Sequence, residues 1–207
     1  GVREELEIVQ RSTRRAADLT QKLLAFARRQ VLEPSHLDVD EVIGHLLPIL
    51  ERVIPENITI AFRPHGRLAT IRADRVQLEQ ILMNLVVNSR DAMPDGGELH
   101  IATDEVELGE EFTTGRPWAR PGCFVHLAVR DTGVGIDRDA LSHIFEPFYT
   151  TKEPGRGFGL GLAVVYGIVK QHGGMIDAAS GQGQGTSIDV YFPPVSHFAE
   201  RLEVPPG

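Results

Sequence analysis

Cysteine is almost absent from this chain: Cys123 is the only one in 207 residues. A lone cysteine forms no internal disulfide and no zinc site built on several thiolates. No stretch approaches the ~18 consecutive apolar residues of a membrane-spanning helix, and no signal segment opens the sequence. Excess positive charge is missing too. The 21 Lys and Arg stand against 29 Asp and Glu, for a net charge of −8. That balance weighs against nucleic acid as the main partner. Residues 2–33 contain neither Gly nor Pro, so nothing in them breaks a helix. The first residue is Gly1 rather than Met and the pattern opens midway, so the chain reads as a piece of a longer protein. What is present is an ordinary globular composition, 42 % hydrophobic and 24 % charged. This excludes a long disordered chain and allows one domain, alone or with a smaller element.

In the leading stretch, Leu6, Val9, Thr13, Ala16, Thr20, Leu23 and Ala27 alternate spacings of three and four. This is the seam of a helix that packs along another helix, and Pro34 stops it. One helix cannot bury that seam alone, so a partner helix is expected from another segment or another subunit. The stretch is locally basic, which reads as a solvated face or as a docking surface for an acidic partner.

From residue 38 to 193 helical and strand patterns alternate. Helices are expected over 39–53, from an Asp74 cap to about Met93, over 137–144 and over 159–171. Strands are expected over 58–62, 68–71, 99–106, 124–129, 175–179 and 186–192. The stretch 109–122, which holds Trp118, reads as a loop. The class is α+β: a two-layer α/β sandwich with a mixed sheet, preceded by one long helix. Residues 194–207 are proline-containing and read as a tail or linker.

Four stretches carry chemistry. Asn84, Asn88 and Asp91 fall at i, i+4 and i+7 in an otherwise apolar run, so they share a helix face. Such a face needs hydrogen-bond partners, either neighbouring loops or a ligand. A neutral Asn oxygen also suits a hard cation such as Mg²⁺. Next, Asp131-Thr132-Gly133-Val134-Gly135-Ile136 follows a strand. It reads as a tight turn, or as a place where backbone comes close to a flat ligand and Asp131 accepts from an amine. Then Gly155, Gly157, Gly159 and Gly161 fall at every second position before a helix, with Lys152 and Arg156 beside them. A glycine-rich loop at a helix N-terminus suits phosphate, and it predicts a mobile lid. Its spacing matches neither a P-loop nor a Rossmann fingerprint. Last, Gly181-Gln182-Gly183-Gln184-Gly185-Thr186 reads as a hairpin loop.

In this order and spacing the motifs resemble the ATP-binding domain of sensor histidine kinases, in the superfamily shared with gyrase, Hsp90 and MutL. Asn84 to Ala92 resembles the N box, Asp131 to Ile136 the first glycine box, and Ile144 to Lys152 the F box. Gly157-Phe158-Gly159-Leu160-Gly161-Leu162 resembles the second glycine box, and Gly185-Thr186 the third. The resemblance covers residues 1–193, with 1–33 similar to the second helix of the dimerisation and histidine-phosphotransfer hairpin. It implies the Bergerat-type ATP-binding fold, with ATP and Mg²⁺ as ligands.

The roles implied are specific. Asn88 coordinates Mg²⁺ at the phosphates with Asn84 nearby, and Asp91 shapes the pocket. Asp131 binds the adenine amine, Gly133 and Gly135 give the base room, Ile136 packs on it and Thr186 helps close that end. Phe145 and Phe148 anchor the lid. Lys152, Arg156 and the amides of Gly157, Gly159, Leu160 and Gly161 surround the phosphates. Phe158 stands where the family most often has Thr, so any hydroxyl contact there is lost.

The family's acceptor histidine, with its adjacent base, lies on the first hairpin helix. None of the eight histidines here matches that motif, so the acceptor is expected outside this chain. The function implied is transfer of the ATP γ-phosphoryl group to that histidine, for relay to an aspartate of a response-regulator receiver domain. The resemblance further implies a homodimer through the hairpin and a cytoplasmic catalytic part, with any membrane attachment upstream. The alternatives are an ATPase clamp of the gyrase or Hsp90 kind and a catalytically degenerate scaffold. In the clamps a Glu four residues before the Mg²⁺-binding Asn activates water; here that position is Asn84, which cannot act as a general base.

Overall fold

A computed structural model describes residues 33–152 and 157–195. The stretch expected to form the leading helix, and the end of the tail, lie outside the described residues. Helix α1 (Val39–Val53) follows strand β1 (Ser35–Leu37), and the Asp38 carboxylate caps it by accepting from the amides of Asp40 and Glu41. Val39, Val42, Ile43, Leu46 and Leu50 recur at helical spacing and are all buried. Strands β2 (Ile58–Arg63) and β3 (Ile71–Ala73) lead into helix α2 (Arg75–Ala92), whose N-cap Asp74 accepts from the Gln77 amide at 3.2 Å. Then come β4 (Gly97–Leu108), the short α3 (Glu110–Thr113), β5 (Gly122–Asp131) and α4 (Arg138–Leu141). The chain closes with α5 (Gly161–Gln171), β6 (Met175–Ser180) and β7 (Thr186–Phe192).

The main sheet has the order β2-β4-β5-β7-β6, with β2 parallel to β4 and the remaining neighbours antiparallel. It is therefore mixed, as expected. Alternate residues of its strands, among them Leu99, Ile101, Val125, Leu127, Val129, Ile188 and Val190, join the buried faces of α1, α2 and α5 in one core. The result is two layers, sheet and helices. A satellite cluster of Leu108, Phe124, Met175 and Tyr191, covered by Phe112 and Trp118, lies apart from it. There Phe112 and Trp118 meet edge to face.

Helix α2 is anchored at its start. The Asp74 amide donates to Nε2 of His172, the residue that ends α5, at 3.0 Å. The His172 ring also bonds the Ile168 carbonyl through Nδ1. One imidazole thus ties the start of one helix to the end of another.

Three expectations need correction. No strand forms over 68–71: the strand is Ile71–Ala73, paired with β1, an element the sequence reading missed. Leu68 is buried and gives the apolar signal, yet the backbone beside it is satisfied otherwise. The Ala69 amide donates to the Glu105 carboxylate, and Thr70 accepts from the Val195 amide. The helix expected over 137–144 is a single turn, and the one expected from 159 starts at Gly161, because Gly159 has a left-handed φ of 64°.

On the other side of β5 and β7, His126 Nε2 lies 2.8 Å from Asp189 Oδ1, and the ring stacks on Tyr191 at 4.8 Å. Burial pushes the Asp189 carboxyl up. The His126 bond and charge, the Ser187 hydroxyl and Arg130 outweigh it and leave the group below its ordinary 3.8. A carboxyl depressed in the folded state stabilises the fold above the unfolded pKa, and that contribution is lost as pH falls through the folded value. The melting temperature should thus fall below about pH 4. Asp189→Asn should make that fall shallower; an unchanged acid limb would exclude the ion pair as a source of it. The same burial, with Asp189 and Asp177 close by, pushes the Tyr191 hydroxyl up to about 12, so it stays protonated across this range.

Candidate functional site

A cavity of about 670 Å³ runs between α2 and α5 and reaches the ends of β5 and β7. Helix α2 forms one wall. Leu78, Ile81, Leu82, Leu85 and Val86 turn into the core, which leaves Asn84, Asn88 and Asp91 facing the cavity. Gly161 opens α5 directly opposite Asn88. A Cβ there would stand 3.3 Å from the Asn88 Nδ2, so glycine lets the two helices approach at this level.

Asp131 closes one end. It ends β5, is only 5 % exposed and still lines the cavity. Its Oδ1 accepts from the amides of Gly133 at 2.9 Å and Thr186 at 3.2 Å, and its Oδ2 accepts from the Ser89 hydroxyl at 3.0 Å. Three donors offset the cost of burying this carboxylate and fix its orientation. The loop after it is pinned throughout. Val134 donates to the Ala92 carbonyl and accepts from the Gly183 amide, and the Ile136 amide donates to the Ser180 hydroxyl. That hydroxyl in turn donates to the Gly185 carbonyl. Gly135 and Gly185 both have left-handed φ. A Cβ on the first would collide with the Gly181 carbonyl oxygen, and on the second with that of Asp131. The first and third glycine motifs are therefore interlocked halves of one rim.

The lid stretch crosses the opposite side. Phe148 takes a left-handed φ of 69°, costly for a bulky residue, and its amide donates to the Gly159 carbonyl at 2.9 Å. Lys152 Nζ is 2.6 Å from Asp91 Oδ2, and Arg90 holds the other carboxylate oxygen at 2.8 Å. Partial burial raises the Asp91 carboxyl, but Lys152 and Arg90 leave it below the ordinary carboxylate range. Lys152 is thus held by Asp91 at the edge of the cavity.

The structure gathers most of the expected residues around one cavity: Asn84, Asn88, Asp91, Asp131, Gly135, Ile136, Lys152, Gly157, Gly159, Leu160, Gly161 and Thr186. Three are not on its wall. Gly133 packs behind it against Ala92, Phe145 lies against the core and the Tyr166 ring, and Phe148 is 62 % exposed. Arg156 lies outside the described residues. Gln77, Gln80 and Gln171 line the cavity and were not anticipated. Gln77 and Gln80 extend the Asn84-Asn88-Asp91 stripe at helical spacing, which is the signal that reveals them.

Among the described residues, no group of three or more His, Cys, Asp or Glu could hold a metal ion. The donor facing the cavity is the Asn88 carboxamide, backed by Asn84. This fits Mg²⁺, which keeps waters and is shared with phosphate oxygens rather than caged by protein. It does not fit a resident metal bound without nucleotide. No helix among the described residues is long and apolar enough to cross a membrane.

Comparison with known proteins identifies the family. The model of the histidine kinase-, DNA gyrase B- and HSP90-like ATPases matches residues 73–196. The sensor kinase CckA of Brucella abortus (strain 2308) is 42 % identical over 186 residues, 89 % of this chain and 20 % of that protein. The sensor histidine kinase ZraS of Escherichia coli (strain K12) is 34 % identical over 79 % of this chain and 33 % of its own length. The chain thus spans a fifth to a third of these relatives. Among solved structures, full-length ShkA in complex with AMPPNP has a TM-score of 0.71 at 25 % identity, covering 93 % of this chain and 38 % of that one. The nucleotide-free catalytic domain of histidine kinase ThkA has a TM-score of 0.63 at 26 % identity, covering 78 % and 96 %. The chain belongs to the histidine kinase-, DNA gyrase B- and HSP90-like ATPase family.

Proposed function

We propose that this chain is the ATP-binding catalytic part of a two-component sensor histidine kinase. It binds Mg·ATP between α2 and α5 and donates the γ-phosphoryl group to a histidine on a dimerisation hairpin, for relay to a response-regulator aspartate. The observation that carries this over hydrolysis is the cavity wall at Asn88. One turn before it stands the carboxamide of Asn84, and the nearest carboxylate on the same face, Asp91, is engaged by Lys152 and Arg90. Among the described residues the position one turn before Asn88 carries no group that can take a proton from water, and Asp91 keeps its Arg90 partner when Lys152 turns to phosphate, so the site suits positioning and charge stabilisation of a transferred phosphoryl group.

Each residue then has a task. Asp131 accepts from the exocyclic amine of adenine, while Thr186 and the Gly135 rim shape that end. Asn88 holds Mg²⁺ together with the phosphates, and the ion supplies charge neutralisation there. Lys152 exchanges Asp91 for phosphate, and the amides opening α5 face the anion. Homodimerisation through the hairpin and a cytoplasmic setting belong to the same proposal.

The test is to incubate the chain, joined to its hairpin, with γ-labelled ATP and Mg²⁺. Protein-bound label that survives alkali and is lost in acid, as a phosphoramidate is, supports the kinase. Inorganic phosphate released with no protein label would favour the ATPase clamp. Neither product would favour the scaffold.

A further inference from the structure

The cavity does not stop at the asparagines. Beyond Asn84 it continues between α2 and α5 as an arm lined by Gln77, Gln80 and Gln171, with Val164, Gly167 and Ile168 as its apolar wall. Gln77 lies two helical turns beyond Asn84. It is 8 % exposed, and its Oε1 is buried with no hydrogen-bond partner among the described residues. A buried carboxamide oxygen left unpaired is destabilising, and a donor that enters the arm would relieve it. The side chains that line the arm are uncharged. The acidic and basic side chains of the cavity, Asp91, Lys152 and Asp131, lie toward its other end.

Phosphoryl transfer places the attacking and leaving oxygen or nitrogen in line through phosphorus. The attacking atom therefore approaches opposite the β–γ bridging oxygen; with adenine at Asp131 and the phosphates at Asn88, the part of the cavity that stays open past Asn84 is the glutamine arm. We propose that this arm receives the phosphoryl-accepting side chain, with Gln77 and Gln171 as positioning residues for it. This rests on the histidine-kinase reading above. A neutral imidazole carries the lone pair that attacks, whereas imidazolium has none. The arm's own side chains are carboxamides; the ionisable groups at its end are Asp74, whose carboxylate accepts from the Gln77 amide, and His172, whose Nε2 accepts from the Asp74 amide, so the groups that line the arm offer a neutral ring hydrogen bonds without a carboxylate among them. The ring nitrogen forms its bond to the γ-phosphorus as the bond from phosphorus to the β-bridging oxygen breaks, and that electron pair leaves with ADP. The proton on the other ring nitrogen passes to the base beside the acceptor. Gln77 Oε1 accepts a hydrogen bond from the incoming segment and fixes its depth.

The test uses the chain joined to its acceptor hairpin and compares wild type, Gln77→Leu, Gln171→Leu and Gln171→Glu. Gln171 is exposed at the end of α5, so its variants do not endanger folding. In both Leu variants, calorimetric affinity for Mg·ATP should stay within about twofold while the first-order transfer rate falls about tenfold, the kind of loss that misplacing a reacting group produces. Gln171→Glu should move the acid limb of the pH–rate profile to higher pH, because a carboxylate beside the ring favours imidazolium. A merely structural role would not produce that shift. Transfer rates within twofold of wild type in both Leu variants, with an unshifted profile, would overturn the inference while leaving the kinase reading intact. Wild-type protein that binds ATP and transfers nothing would overturn that reading, and this inference with it.

Discussion

Asn88→Ala should reduce the affinity for Mg·ATP on the order of a hundredfold, a loss typical of disrupting metal coordination, and leave the melting temperature close to wild type. The reason is position. Asn88 is half-buried on the cavity face of α2, opposite Gly161, while the buried face of the same helix is carried by other side chains. Truncating it removes an oxygen from the ion's surroundings without opening the core, and Ala is a better helix former than Asn. Affinity for nucleotide without Mg²⁺ should change far less. Titrations of the variant with and without Mg²⁺ separate the two effects. Affinity for Mg·ATP equal to wild type would remove Asn88 from the metal site.

Asp131→Ala should act on both binding and stability. Its carboxylate satisfies the Ser89 hydroxyl and the Gly133 and Thr186 amides, all in buried surroundings. Loss of the carboxylate leaves these donors unpaired and should cost roughly 2–4 kcal/mol of folding stability, at about 1–3 kcal/mol for each group that water cannot reach. On the ligand side, a hydrogen bond to a charged group contributes about 1.5–3 kcal/mol, so ATP affinity should fall roughly ten- to a hundredfold. Guanine offers no amine at the same ring position, so GTP should lose far less and the preference for ATP should shrink. Competition between ATP and GTP, measured below the melting temperature of the variant, checks this. An unchanged preference would place adenine elsewhere in the cavity.

Much of this site was legible because its chemistry is local in sequence. Asn84, Asn88 and Asp91 share a face by helical spacing alone, and Asp74 announces the helix that carries them. The alternating glycines before α5 mark a turn that other residues tolerate poorly, as Gly159 shows. What stayed hidden depends on long-range contacts. Strand β1 is three residues long, too short for any periodicity, and exists because Ser35–Leu37 meet Ile71–Ala73. Leu68 mimics a strand residue because it is buried, while its neighbours bond to Glu105 and Val195. The engagement of Lys152 by Asp91 joins residues 61 apart in the chain, so no local pattern signals it. Gln171 belongs to the cavity only because α5 packs along α2. Phe145 and Phe148 show the opposite case: the motif is plain in the sequence, yet the rings lie off the cavity wall, one against the core and one exposed.

Calorimetric titration of this chain with ATP, in the presence and absence of Mg²⁺, tests the central claim most directly. Saturable binding is expected at one site per chain, strengthened by Mg²⁺ and absent for Mg²⁺ alone, because the described residues of the cavity form no carboxylate cage. Absence of binding at millimolar nucleotide, or a tight Mg²⁺ site that needs no nucleotide, would contradict it.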